Sequence, residues 1–494
     1  MVISFGGLAS GLDTNAIIQA LVGVERLPIG LLEAKKTVQS SKLDLIGTFK
    51  GLIKGLQTAA DELRSTDKFY DYLITPSDES VASFTSTGEA ESGAHTLKVL
   101  SLAQADRWAF DGVLDSSVDL ASADGEQVDF SVNGTNYSIA LTQAGSSLND
   151  IANEINSLAG DDVTASVVNV GTGSSPSYQL VLAGKDTGED FRITGISSTV
   201  AGLSIDGAGP DGAGVAQSSN NVTVGSNAVA IIDGLQVERD GNDFTNVIDG
   251  VDITVQAADP DWEITFSVEP DKALVKEKIN AFLEAYNGVI NFSNEQSKYS
   301  EDGGKGGQLF GDSILRSVRS TLNSALFNVP TATVLADSEG YSTLSLVGLK
   351  TSSDGTMTMD ETIFDEKFGS NVQALADLFV DSDGFDNGGA AEGTAEFYVD
   401  TTSDSGLAEK LYRAIDLMFD SIPGVGGAPS TEGLFGAREE SLQDSIDQLQ
   451  DSLDAKERYL EIFEEQLVAK YSALEQLIGG LNSQGAALQN ILVG

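Results

Sequence analysis

The chain has 494 residues, of which 41% are hydrophobic, enough for several cores, and a formal net charge of -47 from 75 acidic and 28 basic side chains. That surplus repels polyanions, so no nucleic acid partner is expected, and the acidity reads as a solvated surface suited to salty water. Cysteine is absent, which removes disulfides, thiolate metal sites and a cysteine nucleophile, and the single histidine, His95, leaves no His-rich metal site.

The opening MVISFGGLASGLDTNAIIQALVG precedes the first basic residue, Arg26, so it lacks the positive n-region of a secretory signal. No apolar run reaches the roughly 20 residues that span a bilayer, and no membrane insertion is expected. Asp13 is placed to cap a helix beginning near Asn15. Pro28 is expected to interrupt that helix, with a second one running from about Pro28 to about Arg64, because proline is accepted in a first turn but not inside. From Ile17 an apolar residue returns every seven positions, as Ile17, Val24, Leu31, Val38, Leu45, Leu52 and Ala59, with Leu21, Phe49, Leu56 and Leu63 filling part of a companion seam. This is coiled-coil spacing. Lys35 and Lys42 stand at companion positions, where polar residues weaken packing and can set register.

Between about Asp78 and Pro270 the period changes from seven to two. Val128, Phe130 and Val132 alternate, the chain turns at Asn133-Gly134, and it returns through Ile139 and Leu141 as a hairpin. An amphipathic helix follows with Leu148, Ile151, Ile155 and Leu158 on one side, then strand-like 163–168, 178–182 and 191–193, so residues 105–200 read as one α+β unit. The low-complexity connector GLSIDGAGPDGAGVAQSSNN leads to a second β group that turns at Asp233-Gly234 and Asp249-Gly250. It is expected to pair with residues 82–104, which makes the α+β unit an insertion.

Helices resume after Pro270. One sets Leu274, Ile279, Phe282, Leu283, Tyr286 and Ile290 on a broad face, and another sets Ile314, Leu315, Val318, Leu322 and Leu326 likewise. Glycine- and acid-rich loops at 381–394 and 422–436 precede a second set of heptads: Leu442, Ile446, Leu449, Leu453, Leu460, Phe463 and Leu467, with Tyr471, Leu474, Ile478, Leu481 and Leu488 after a register shift. The fold class is therefore multidomain α+β, with terminal coiled-coil helices and a helical domain flanking two inserted β-rich domains. Residues 1–64 form amino-terminal helices that pair with 437–494, residues 65–80 and 270–436 the helical domain, 81–104 and 222–269 a β-rich domain, and 105–221 the insert. The middle is expected to fold without the terminal heptads.

Chemistry has little to rest on. No Gly-x-Ser-x-Gly elbow accompanies His95, and the Gly-x-Gly-x-x-Gly match at Gly207 to Gly212 has no strand before it, no helix after it and Pro210 within it. Asp381, Asp383 and Asp386 share a loop, yet Phe385 and Asp386 occupy places where a calcium loop needs a ligand and its turn glycine. No cofactor or metal ion is expected, and the protein is not read as an enzyme.

With these elements in place, the chain resembles bacterial flagellar filament-capping proteins, the hook-associated protein 2 family, over nearly its full length. The residues that carry the resemblance are ISFGGLASGLDTNAIIQALV (3–22), AHTLKVLSLAQA (94–105), IDGLQVERDGNDFTNVIDGVDITV (232–255) and NAFLEAYNGVIN (280–291). LFGDSILRSVRSTL (309–322), LSLVGLKTSSDGTMTMD (344–360) and TEGLFGAREESLQDSIDQL (431–449) extend it, and the insert around FSVNGTNYSIAL resembles the small hook-type motif found in flagellins. The resemblance implies a homo-oligomeric ring, a pentamer or hexamer, at the distal tip of the filament. Its β domains would form a plate, and its terminal helices would form legs reaching between flagellin subunits. Export would use the flagellar type III apparatus and an export chaperone, with the protein secreted to the filament tip, and flagellin would be retained and folded beneath the plate. On that reading the leg heptads Ile17, Leu21, Val24, Leu31, Val38, Leu45, Leu52, Leu442, Ile446, Leu449, Leu453, Leu460, Phe463 and Leu467 bind partners. Rival readings are a flagellin relative, a hook-filament junction protein, and a secreted adhesin with host or surface receptors.

Overall fold

The structure, a computed structural model, describes residues 11–86, 90–207, 219–299, 306–327, 341–381, 384–391, 394–401, 406–420 and 433–493. The chain divides into two compact units, Met1–Phe69 with Lys276–Gly494, and Tyr70–Val275.

The first unit opens with α1, Thr14–Asp61, one helix of 48 residues. Asp13 caps it as expected, its carboxylate accepting the Ala16 N–H at 3.0 Å. Pro28 does not interrupt the helix but lies inside it. Its missing N–H leaves the Val24 carbonyl without a helical donor. Val24 and Pro28 are both exposed, so water can supply that donor, which lowers the cost of an interior proline. By length and composition α1 does reach the threshold for crossing a bilayer, with mean hydropathy 1.3 over its most apolar stretch. Its seven-residue spacing, and the charges of Glu25 and Arg26 within its apolar half, fit a protein-facing helix instead. A single turn, α2 (Thr66–Phe69), closes this segment.

The second unit holds two β cores. The chain lays down β1 (Tyr72–Pro76), β2 (Ala82–Ser86) and β3 (Gly93–Ser101) before entering the insert. The insert comprises β4 (Ala105–Ala109), β5 (Gln127–Val132), β6 (Thr135–Ala140), α3 (Leu148–Leu158), β7 (Val163–Asn169), β8 (Tyr178–Thr187), β9 (Thr194–Ser198) and β10 (Asn221–Thr223). Its sheets, ordered β10-β4-β8-β7 and β6-β5-β9, enclose Trp108, Phe110, Phe130, Ile139, Leu148, Ile151, Ile155, Leu180 and Leu182. The hairpin turns where expected, Asn133 and Gly134 taking φ of 46° and 77°, the left-handed pair that a tight two-residue connection requires. Three expectations shift. Leu158 is exposed, residues 191–193 lie outside any strand and the strand starts at Thr194, and the insert's sheet continues to Thr223 rather than stopping at 221. Gly207 is described, but the rest of the glycine motif lies outside the described residues.

After the insert come β11 (Ala228–Ile232), β12 (Leu235–Arg239), β13 (Asp243–Ile248), β14 (Val251–Val255) and β15 (Ile264–Pro270). As expected, residues 82–104 pair with this group: β3 lies between β15 and β11, and β2 lies beside β14. The sheets, ordered β1-β15-β3-β11-β12 and β13-β14-β2, enclose Leu97, Val99, Ala230, Ile232, Phe244, Ile253, Phe266 and Val268. Residues 72–76, expected in the helical domain, are instead an edge strand on β15, because Tyr72 and Ile74 find apolar cover against this core while Leu73 faces water. Asp106 closes the base of the insert. Buried to 2% exposure, its carboxylate accepts Trp108 Nε1 and Ile193 N at 2.8 Å, Gly225 N at 3.0 Å and Asn221 Nδ2 at 3.1 Å. Four donors compensate the lost hydration of a buried carboxylate.

The helical unit continues through α4 (Lys272–Gln296), α5 (Ser313–Phe327), the hairpin β16 (Leu349–Thr351) and β17 (Met357–Met359), α6 (Glu361–Ser370), α7 (Val372–Phe379), α8 (Leu407–Phe419) and α9 (Leu434–Val493). The carboxyl-terminal helix thus begins three residues before the expected 437. On α4 the expected face is buried except for Leu274, 43% exposed; on α5 it is buried throughout. Contrary to expectation, this core draws on the amino-terminal helix. Ile46, Phe49, Ile53, Leu56 and Ala60 of α1 are fully buried, with the Phe49 ring stacked on Phe292 at 5.0 Å and tilted against Phe435 at 5.9 Å.

Candidate partner-binding surface on the terminal helices

Outside that core, α1 and α9 pair with each other. Ile29 packs with Leu453 and Leu460, with Val22 and Leu32 alongside. Lys36 Nζ hydrogen-bonds Gln450 Oε1, and Lys50 Nζ meets Glu439 Oε2 at 2.8 Å. Partners descend on α9 as they ascend on α1, so the pair is antiparallel.

The sequence-derived heptads divide unequally over this pair. On α9, Leu442, Ile446, Leu453, Leu460 and Leu467 are buried, with Leu449 and Phe463 half-buried. On α1, Leu21, Val24, Leu31 and Val38 are exposed, and Ile17, Leu45 and Leu52 are half-buried. The seam that α1 turns inward lies one residue on: Ile18, Ile46, Ile53 and Ala60, each buried, with Leu32 half-buried; Ile29, also buried, stands between its turns. The signal was present, since Ile17-Ile18, Leu31-Leu32, Leu45-Ile46, Leu52-Ile53 and Ala59-Ala60 are adjacent apolar pairs in one heptad register. A repeated pair means two seams on neighbouring faces, and only packing decides which is covered. On α9 beyond Tyr471, Leu474, Leu477, Leu481 and Leu488 are likewise exposed.

A charged cluster fastens the inner end of α1. Arg64 Nη1 donates to Glu409 Oε2 at 3.1 Å, and Glu409, 1% exposed, also accepts Arg413 Nε at 2.7 Å. Burial acts to raise the Asp61 carboxyl, but hydrogen bonds and charge from Lys68 and Arg64 outweigh it and hold the group below the usual carboxylate range. Asp416 moves the other way. Burial pushes it up against the Gln57 hydrogen bond, and Asp420 and Glu409 add repulsion.

His95 lies in β3, its Nδ1 2.7 Å from Asp233 Oδ2 and its ring stacked on Phe266, an ordinary strand residue. Among the described residues no three His, Asp or Glu side chains gather to hold a metal ion; Asp383 lies outside them, and the Asp381 carboxylate accepts the Gly384 N–H at 3.1 Å. What the helices show is an uncovered apolar stripe beside a covered seam.

Two family models cover most of the chain: the flagellar hook-associated protein 2 N-terminus matches residues 10–106 and its C-terminus matches residues 225–483. The chain belongs to the flagellar hook-associated protein 2 family. The family is one of structural proteins. The A-type flagellar hook-associated protein 2 of Pseudomonas aeruginosa is 28% identical over 513 residues, spanning 99% of this chain and 97% of that protein. The flagellar hook-associated protein 2 of Xenorhabdus nematophila is 26% identical across 99% of each chain. The crystal structure of the flagellar cap protein D1-D2-D3 domains from Escherichia coli superposes with a TM-score of 0.60 over 81% of this chain and 99% of that one, at 23% identity, which extends the likeness to the fold. The family segments stop at 106 and resume at 225, and the hydrogen bond from Gly225 N to Asp106 joins those two residues across the unmatched insert.

Proposed function

We propose that this chain is a flagellar filament cap: a homo-oligomer at the distal filament tip, exported from the cell, that retains flagellin and promotes its folding and polymerisation. The observation that carries this reading is the family match at residues 10–106 and 225–483 on a chain whose paired terminal helices keep an apolar seam uncovered. In this assignment the outer parts of α1 and α9 are legs, the sheets around Phe266 form the plate, and the insert built on Trp108 decorates the plate. The heptad residues from Ile17 to Leu52 and from Leu442 to Leu467 bind partners, the buried ones by holding the two helices together and the exposed ones by direct contact. A ring of five or six copies, passage through the flagellar type III export apparatus with a chaperone, and flagellin as the retained substrate complete the proposal. Deleting the protein from the bacterium that carries it should leave short or missing filaments and flagellin in the medium, both reversed when the protein is supplied again. Normal filament length in the deletion strain would refute the assignment.

A further inference from the structure

Each terminal helix carries apolar residues that its partner helix leaves uncovered. On α1 these are Leu21, Val24, Leu31 and Val38; on α9 they include Tyr459 and Ile462, 48% and 53% exposed. The helices also differ in charge sign. Six basic and four acidic residues give α1 a net charge of +2, whereas four basic and eleven acidic residues give α9 -7. In a chain of net charge -47, α1 is therefore a surface that the acidic helix of another copy can approach without repulsion.

The register sharpens the match. The antiparallel offset that sets Lys36 against Gln450 puts Lys35 level with Asp451 and Lys42 level with Asp444. None of these four makes an ion pair among the described residues. Helix geometry explains why. Each residue turns the helix by about 100°, so Lys35 and Asp451, each one step from the contacting residues, leave the seam on opposite flanks of the antiparallel pair. They cannot meet within one molecule. One heptad further along, Lys42 and Asp444 repeat the arrangement, and the same offset sets Val24 level with Ile462 and Leu27 level with Tyr459.

We propose that neighbouring copies of this chain associate leg to leg, the outer seam of α1 on one copy lying against the outer face of α9 on the next, with Lys35 paired to Asp451 and Lys42 to Asp444. The two faces differ, so the contact is head to tail, the kind that closes into a ring when the rotation permits. This inference rests on the reading that the outer seams are contact surfaces, and it names a second copy as what covers them.

The test uses the full-length protein. Lys35→Glu combined with Lys42→Glu should weaken self-association about tenfold or more by analytical ultracentrifugation, with an unchanged thermal transition because both side chains are exposed or half-exposed. Adding Asp444→Lys with Asp451→Lys to that variant should restore association. Because the chain has no cysteine, mixing a Val24→Cys copy with an Ile462→Cys copy under mild oxidation should give disulfide-linked heterodimers in preference to either homodimer. Unaltered association in the double-glutamate variant, no rescue by the swap, or an intact oligomer without the cross-link would overturn the pairing. Motility separates the two layers. Double-glutamate protein that assembles normally but does not support swimming would show the seam serving another partner, sinking this inference alone. Normal assembly with normal swimming would sink the contact-surface reading as well.

Discussion

Phe49→Ala decides whether the amino-terminal helix is only a leg or also part of a core. Phe49 is fully buried, stacked on Phe292 at 5.0 Å with 14° between ring planes and tilted against Phe435 at 5.9 Å. Truncating a buried phenylalanine costs about 3 to 5 kcal/mol through lost transfer and the cavity left behind, and the two ring pairs place this site toward the upper part of that range. In a unit of this size each kcal/mol lowers the melting temperature by about 2 to 4 °C, so a fall of about 8 to 20 °C is expected. Val24→Ala, on the exposed seam of the same helix, should stay within about 0.5 kcal/mol of the parent. Scanning calorimetry on the full chain compares them directly. If Phe49→Ala shifts the transition by less than about 2 °C, the inner half of α1 does not stabilise the helical unit, and the packing described above is wrong.

Two further outcomes follow from charge. The Asp416 carboxyl is raised by burial, so between about pH 4 and its elevated value the folded protein binds a proton that the unfolded chain does not, and stability falls as pH rises through that window. Asp416→Asn should therefore raise the melting temperature at pH 7 and bring no gain near pH 3, whereas Asp61→Asn, at a carboxyl held low by its partners, should lower it at pH 7 and matter least near pH 3; the reverse ordering in a melting series would refute the assignment. Copies of net charge -47 repel over about 30 Å at 0.01 M salt but only about 8 to 10 Å at 0.1 to 0.15 M, and a few Lys–Asp pairs per contact do not offset that, so light scattering should show mainly monomer at 0.01 M sodium chloride and a growing closed oligomer toward 0.5 M; dissociation on adding salt would mean that ion pairs dominate the interface.

Much of the architecture was legible because local chemistry specified it. The change of hydrophobic period marked where helix gives way to sheet, and Asn133-Gly134, Asp233-Gly234 and Asp249-Gly250 placed the turns, since few residues accept the left-handed backbone that both members of the first two pairs and Gly250 of the third adopt. The cap at Asp13 and the buried face of α5 followed equally from spacing alone. Pro28 misled because a proline's effect depends on whether water can reach the carbonyl it abandons. Tyr72 to Pro76 was missed because a short edge strand takes its identity from the neighbour it pairs with.

The candidate surface shows where sequence ends. The heptads alone pointed to long helices at both termini whose stripes must meet each other or a partner, and the paired apolar positions along α1 already encoded two seams. Which seam faces α9, and that Ile46 to Ala60 of α1 belong to a core rather than a leg, required the tertiary structure. Periodicity fixes the angle of a side chain about its own helix axis, whereas burial depends on what other segments, hundreds of residues away in the chain, bring to that side.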